Sequence, residues 1–286
     1  MRKTLLTFIG FFMVLSGYAQ FGFAKYKVVT DSVYSEKLGA WRAYNVCLPP
    51  GFDQNEEFYP VLYLLHGMSD DHRCWVEKGK VQEVADRFVA SGEMVPMVIV
   101  TPCAGGLDVN NVWNGYFDMP DWPYEAFFFD EFLPYIEKTY RCGGAKSKRA
   151  VAGLSMGGGG CTSYGQRHAD LFCGVYAMSA FLHSEAPKRE PRGKVDWLMK
   201  SAHDQSCLLF VQQADEARKA ALRSVRWYVD CGDDDFLLEG NMDFYKAMRR
   251  AGIPCQLRVR DGGHDWEYWH TALYDCLPFV SRCFRF

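Results

Sequence analysis

The chain has 286 residues, 49% of them hydrophobic and 23% charged, enough to bury a large core in one α/β domain. Its 32 basic and 35 acidic residues leave a net charge of −3, and no dense Lys/Arg run occurs, so nucleic acid and anionic membrane are excluded as expected partners. Eleven cysteines, an odd number with no C-x-x-C pair, argue against a zinc site and for mostly reduced, buried thiols.

Met1-Arg2-Lys3, an apolar run over residues 5–15 and the small-residue stretch Ser16-Gly17-Tyr18-Ala19 follow the order of a secretory signal. Residues 1–19 are therefore expected to be removed, leaving a single domain over 20–286 that is exported, to the periplasm or the medium if the source is bacterial. The apolar run is too short to cross a bilayer comfortably, and nothing later approaches membrane length, so no stable membrane insertion is expected after cleavage.

Short β-branched and aromatic runs then alternate with helical patterns. Strands are predicted over 41–48, 60–65, 97–101, 149–154, 174–178, 225–230 and 256–259, several as near-continuous apolar runs. Helical spacing of apolar residues marks 80–90, 127–140, 241–251 and 266–279. This alternation predicts the α/β class, with a mostly parallel central sheet covered by helices on both faces. Residues 184–223 are charged and helix-favouring and contain no strand. They are read as a helical insertion at the edge where open α/β sheets bind ligands, and hence as a candidate lid.

The most informative stretch is Gly153-Leu154-Ser155-Met156-Gly157, directly after the apolar run Ala150-Val151-Ala152. A serine between glycines at a strand-to-helix turn can hold a strained backbone and lift its hydroxyl clear of the sheet, which is the geometry of a nucleophile elbow. The N–H groups opening the next helix, that of Met156 included, then point at a developing oxyanion. A phosphate loop is excluded by the missing Lys-Ser/Thr ending.

A serine hydroxyl needs a base, and the base needs a carboxylate to hold its tautomer. His264 and His270 are the two histidines that follow both Ser155 and the late aspartate cluster. His264 lies in the glycine-hinged turn Gly262-Gly263-His264-Asp265-Trp266, where a base can reach across to the serine, whereas His270 falls inside a helical pattern. The acid lies among Asp233, Asp234 and Asp235, and Asp235, before the apolar Phe236-Leu237-Leu238, is best placed to be drawn inward. A second oxyanion N–H is expected at Met68, after the strand that ends in His66-Gly67. His66 itself precedes the serine and is read as structural. No cofactor or metal is called for.

The ordered set Leu64-Leu65-His66-Gly67-Met68 with Trp75, then residues 132–141 leading into Gly153-Leu154-Ser155-Met156-Gly157-Gly158, then Cys231-Gly232-Asp233-Asp234-Asp235-Phe236 and Gly262-Gly263-His264-Asp265-Trp266, resembles the putative esterase family of α/β-hydrolases. That family groups esterase D and S-formylglutathione hydrolase, feruloyl and acetyl esterases, and the antigen 85 mycolyltransferases. The resemblance is closer to the feruloyl-esterase-like branch and covers nearly all of the chain after the leader. It implies the α/β-hydrolase fold, Ser155 as nucleophile, His264 as base, Asp235 as acid, and Met68 and Met156 as oxyanion donors. The expected activity is that of an exported serine carboxylesterase acting on a small acyl ester or an acylated oligosaccharide, with acetyl or feruloyl groups on plant polysaccharide favoured by analogy. Trp75, Trp113 and Trp266 are carried as candidate substrate contacts. Acyl transfer to a sugar acceptor is the enzymatic alternative. A carbohydrate-binding protein on an unreactive hydrolase fold, with the aromatic segment 112–123 stacking on sugar rings, is the alternative of another class.

Overall fold

Two antiparallel strands open a sheet that is otherwise parallel. In the computed structural model, which describes residues 25–285, β1 (Lys27–Ser35) pairs along its whole length with β2 (Ala40–Leu48). The expected leader, residues 1–19, lies outside the described residues. Strand β1 went unpredicted because Thr30, Asp31 and Ser32 interrupt its apolar pattern. It is an edge strand, exposed or half-buried along nearly all its length, so burial does not demand a clean alternation there.

From β2 the chain enters the core as β3 (Val61–Leu65), passes α1 (Cys74–Glu77) and α2 (Val81–Ala90), and returns as β4 (Val98–Pro102). A small hairpin, β5 (Asp118–Met119) with β6 (Trp122–Pro123), precedes α3 (Tyr124–Phe127) and α4 (Leu133–Thr139). The helix expected over 127–140 is present and begins earlier, running without a gap from Tyr124 to Thr139, with α3 and α4 joined by the wider π-type turn Phe128–Phe132. Pro134 sits in the first turn of α4, where its ring and missing N–H disfavour an unbroken run of α-helical hydrogen bonds.

The chain continues through β7 (Arg149–Leu154), α5 (Met156–Arg167) and β8 (Gly174–Met178). The segment expected to be a strandless insertion contains α6 (Lys194–Asp204), α7 (Cys207–Gln212) and α8 (Glu216–Arg223). Their side chains Leu198, Cys207, Val211 and Leu222 enter the core that covers α5, which anchors the insertion to the body of the protein. The remaining elements are β9 (Arg226–Gly232), α9 (Leu238–Arg250), β10 (Cys255–Arg260) and α10 (Trp266–Phe284).

The eight strands lie in the order β1-β2-β4-β3-β7-β8-β9-β10, and every neighbouring pair from β4 to β10 is parallel. Successive side chains of a strand face opposite layers. Tyr63 and Leu65 accordingly join the core beneath α3 to α5, while Leu62 and Leu64 join the core beneath α2 and α10. Burial on both faces explains why β3 reads as an unbroken apolar run. The parallel pairing gathers the turns after β3, β7, β9 and β10 at one edge of the sheet, and this positions everything that follows.

Candidate active site

Ser155 stands between β7 and α5 with φ 52° and ψ −117°, a strained conformation for a side chain with a Cβ. Its neighbours must be glycine, because a Cβ on Gly153 would stand 2.3 Å from the carbonyl oxygen of Gly157, and one on Gly157 would stand 2.5 Å from that of His66. The backbone is held on both sides. Ser155 donates its N–H to the Met178 carbonyl at 2.9 Å, and its own carbonyl accepts from Gly159 and Phe181.

Two and three strands away, the turns after β9 and β10 are zipped together. Asp233 N–H donates to the Arg260 carbonyl at 3.0 Å, and Asp234 N–H to that of Gly262 at 3.1 Å. This brings Asp235 under His264. Nδ1 of His264 donates to Asp235 Oδ2 at 2.8 Å, and Nε2 lies 2.9 Å from Ser155 Oγ. Since a carboxylate only accepts, the Nδ1 proton is fixed and the Nε2 lone pair is left facing the serine hydroxyl. Of the three adjacent aspartates, Asp235 alone is buried, and Asp233 and Asp234 face solvent.

Burial by itself would raise the Asp235 carboxyl pKa. The hydrogen bonds from His264, from the Leu237 N–H and from Ser179 outweigh it and hold the group below its ordinary 3.8. The acid is therefore a carboxylate whenever the fold is intact at neutral pH.

At the end of β3, Leu65 pairs with Gly153, so the Gly67 turn lies against the serine. A Cβ on Gly67 would be 3.6 Å from Ser155 Cβ and 2.7 Å from Leu154 Cδ1. The backbone of Met68 thus borders Ser155 on one side, and the first turn of α5, beginning at Met156, borders it on the other. First-turn N–H groups have no partner within their helix, so that of Met156 is free to donate to an oxygen above the serine.

A family model described as Putative esterase matches residues 35–280. The chain belongs to this esterase family. An acetyl esterase of Caldicellulosiruptor saccharolyticus is 24% identical over 250 residues, covering 80% of this chain and 86% of that protein. An endo-1,4-beta-xylanase/feruloyl esterase of Xylanibacter ruminicola is 29% identical over 245 residues, covering 84% of this chain but 29% of that longer protein. A solved structure described as a ferulic acid esterase is 61% identical and superposes with a TM-score of 0.87, covering 91% of this chain and 100% of that one. The protein is a carboxylic ester hydrolase of α/β-hydrolase fold.

Other histidines of the esterase are occupied. His66 is buried, with Nδ1 donating to the Gly67 carbonyl at 2.7 Å and Nε2 accepting from the Ala104 N–H at 2.9 Å, so it braces the Gly67 turn. His270 donates from Nδ1 to the Gly79 carbonyl at 2.8 Å.

The three tryptophans carried as candidate substrate contacts differ in exposure. Trp75 is fully buried, donates its indole N–H to the Leu65 carbonyl at 3.1 Å and offers no face to a ligand; it packs the esterase core rather than its substrate. Trp266 is half-buried against Trp75 and Trp269, with Lys78 Nζ 5.5 Å from its ring. Trp113 is half-buried under Lys194, whose Nζ lies 5.4 Å from the ring. Within the aromatic segment 112–123, a sugar platform only under the binding-protein alternative, Tyr116, Phe117 and Trp122 are core residues.

Several residues of the site went unread in the sequence. Ser179, fully buried with φ 44°, accepts the Trp269 indole N–H at 3.1 Å and helps to hold the Asp235 carboxyl low. Tyr116 accepts the His66 N–H at 2.8 Å and donates to the His66 carbonyl at 3.0 Å, clamping the end of β3. Asn114, also buried, ties the Ser69 N–H to the loop at Gly106. Each is an ordinary polar or aromatic residue whose role exists only after distant loops meet.

Proposed function

We propose that the protein is a serine esterase that cleaves feruloyl or acetyl esters through Ser155, His264 and Asp235. The observation that carries this reading is the unbroken line of hydrogen bonds from Asp235 Oδ2 through His264 to Ser155 Oγ, at 2.8 and 2.9 Å. His264 Nε2 takes the hydroxyl proton as Ser155 Oγ attacks the ester carbonyl. The N–H groups of Met68 and Met156 hold the resulting oxyanion, a contribution of about 3 kcal/mol for one such donor. Collapse expels the alcohol, which leaves with the proton from His264, and the acyl group stays on Ser155. Water then attacks the acyl-enzyme with His264 again as base, releasing the carboxylic acid and restoring the serine. Asp235 keeps the imidazole in one tautomer and stabilises its cationic form throughout.

The acyl group favoured is feruloyl, supported by the 61% identical ferulic acid esterase, with acetyl second on the strength of the acetyl esterase relative. Plant polysaccharide is the proposed carrier, as the xylanase-linked relative suggests. The leader pattern of residues 1–19 supports export, and an N-terminus of the secreted protein at any residue other than Gln20 would overturn the proposed cut. The decisive comparison is hydrolysis of methyl ferulate and p-nitrophenyl acetate by wild type and Ser155→Ala. Wild-type turnover that falls by about 10⁶-fold in a folded variant is expected, and retained turnover would refute the mechanism.

A further inference from the structure

His264 lies between two aromatic rings of opposite exposure. The buried indole of Trp269 meets it edge-on, with centroids 4.9 Å apart at 89°. Phe236 meets it at 4.5 Å and 49°, yet is 77% exposed. Trp269 is accounted for by core packing. Phe236 is not, because a phenyl ring left mostly in water gains little from burial. The backbone that carries it is nevertheless held, since Asp235 Oδ1 accepts the Leu237 N–H at 2.8 Å and the Asp235 carbonyl accepts the Leu238 N–H at 2.9 Å. The turn that sets the acid also carries the ring.

The strand order sorts the two halves of an ester. The oxyanion donors follow β3 and β7, so the carbonyl oxygen points away from the imidazole. Among the other exposed apolar side chains, Met68, Leu107 and Val112 follow β3 and β4, on the side of the oxyanion donors, while Val259 lies within β10 itself. The departing alcohol must receive its proton from His264 Nε2, so it leaves on the β9 and β10 side, alongside the open face of Phe236. A flat apolar ring there matches the C–H face of a sugar better than it matches a small alkyl group.

We propose that Phe236 is a specificity-determining residue, a platform on which a sugar ring of the alcohol half stacks, so that the esterase prefers acyl sugars to acyl esters of simple alcohols. This inference rests on the roles proposed above for Ser155 and His264. Its test uses one acyl group, ferulate, carried on methanol and on a xylo-oligosaccharide, with wild type, Phe236→Ala and Phe236→Trp. Loss of the platform raises KM for the sugar ester by about tenfold, far more than for the methyl ester, and changes kcat less than KM. Phe236→Trp keeps the preference. Equal loss on both esters would overturn the inference, because the ring would then act only by holding His264 in place. Wild type inert towards both esters would instead overturn the proposed feruloyl esterase activity to which the inference belongs.

Discussion

Two buried carboxylates sit five residues apart where β9 ends, and they have opposite surroundings. Asp230 is fully buried and accepts from the hydroxyls of Tyr176, at 2.7 Å, and Tyr268, with Arg260 Nε 3.8 Å away. Burial, above all, pushes both tyrosine pKa values far above their usual 10.0, so both remain donors and the cluster has no mobile proton to offer. Asp235 faces an imidazole that retains 19% of its side-chain exposure and reaches a serine hydroxyl. Two residues of one type, one on β9 and one in the turn after it, thus divide into a fastener and the acid of the proposed triad. Burial is common to both. The partner makes the difference: a phenol only locks a carboxylate, while an imidazole links it to a serine hydroxyl.

The contrast is broken most forcefully by exchanging each acid for its amide. Asp235→Asn is expected to lower kcat for methyl ferulate by about 10⁴-fold while the fold persists, because an amide can stabilise the wrong imidazole tautomer. A loss of less than tenfold would place Asp235 with Asp230 as a structural group. Asp230→Asn should do the reverse. It leaves two buried hydroxyls badly partnered and costs about 3 kcal/mol in urea unfolding, with kcat of the folded enzyme within about tenfold of wild type. Catalytic loss without loss of stability would erase the distinction.

A smaller effect sharpens it through pH. The Asp235 carboxyl is held below 3.8 in the folded state, so its contribution to stability is full above the unfolded value and disappears as pH falls through the lower, folded one. The stability gap between wild type and Asp235→Asn should therefore be flat from about pH 7 to 5 and narrow below about pH 4. A gap independent of pH down to acid unfolding would mean that the hydrogen bonds to Asp235 do not favour its charged form.

The same contrast shows what could be read before folding. The meeting of Ser155, Asp235 and His264 was legible because each lies in a short motif with its own glycine punctuation, and because strand ends in a parallel sheet share one edge. The strands β2 to β4 and β7 to β10 were legible from apolar runs, whereas β1 was not, its polar centre lying on a solvated edge. Asp230 carries no motif, and its tyrosine partners stand 54 and 38 positions away. Trp75 and Phe236 mislead in opposite directions, since a tryptophan suited to a ligand is buried and a phenylalanine suited to a core is exposed. Residue type does not report which side of a turn faces water, and the turn after β9 is set by Asp235 hydrogen bonds that no local pattern encodes.

The central claim is that Ser155 Oγ is the nucleophile activated by His264. Incubation of the folded protein with a fluorophosphonate, followed by peptide mass spectrometry, tests it directly. One phosphonyl group on the peptide containing Ser155, absent from Ser155→Ala and strongly slowed in Asp235→Asn, is the predicted result. An unlabelled Ser155 in wild type, or a label on another residue, would contradict the account.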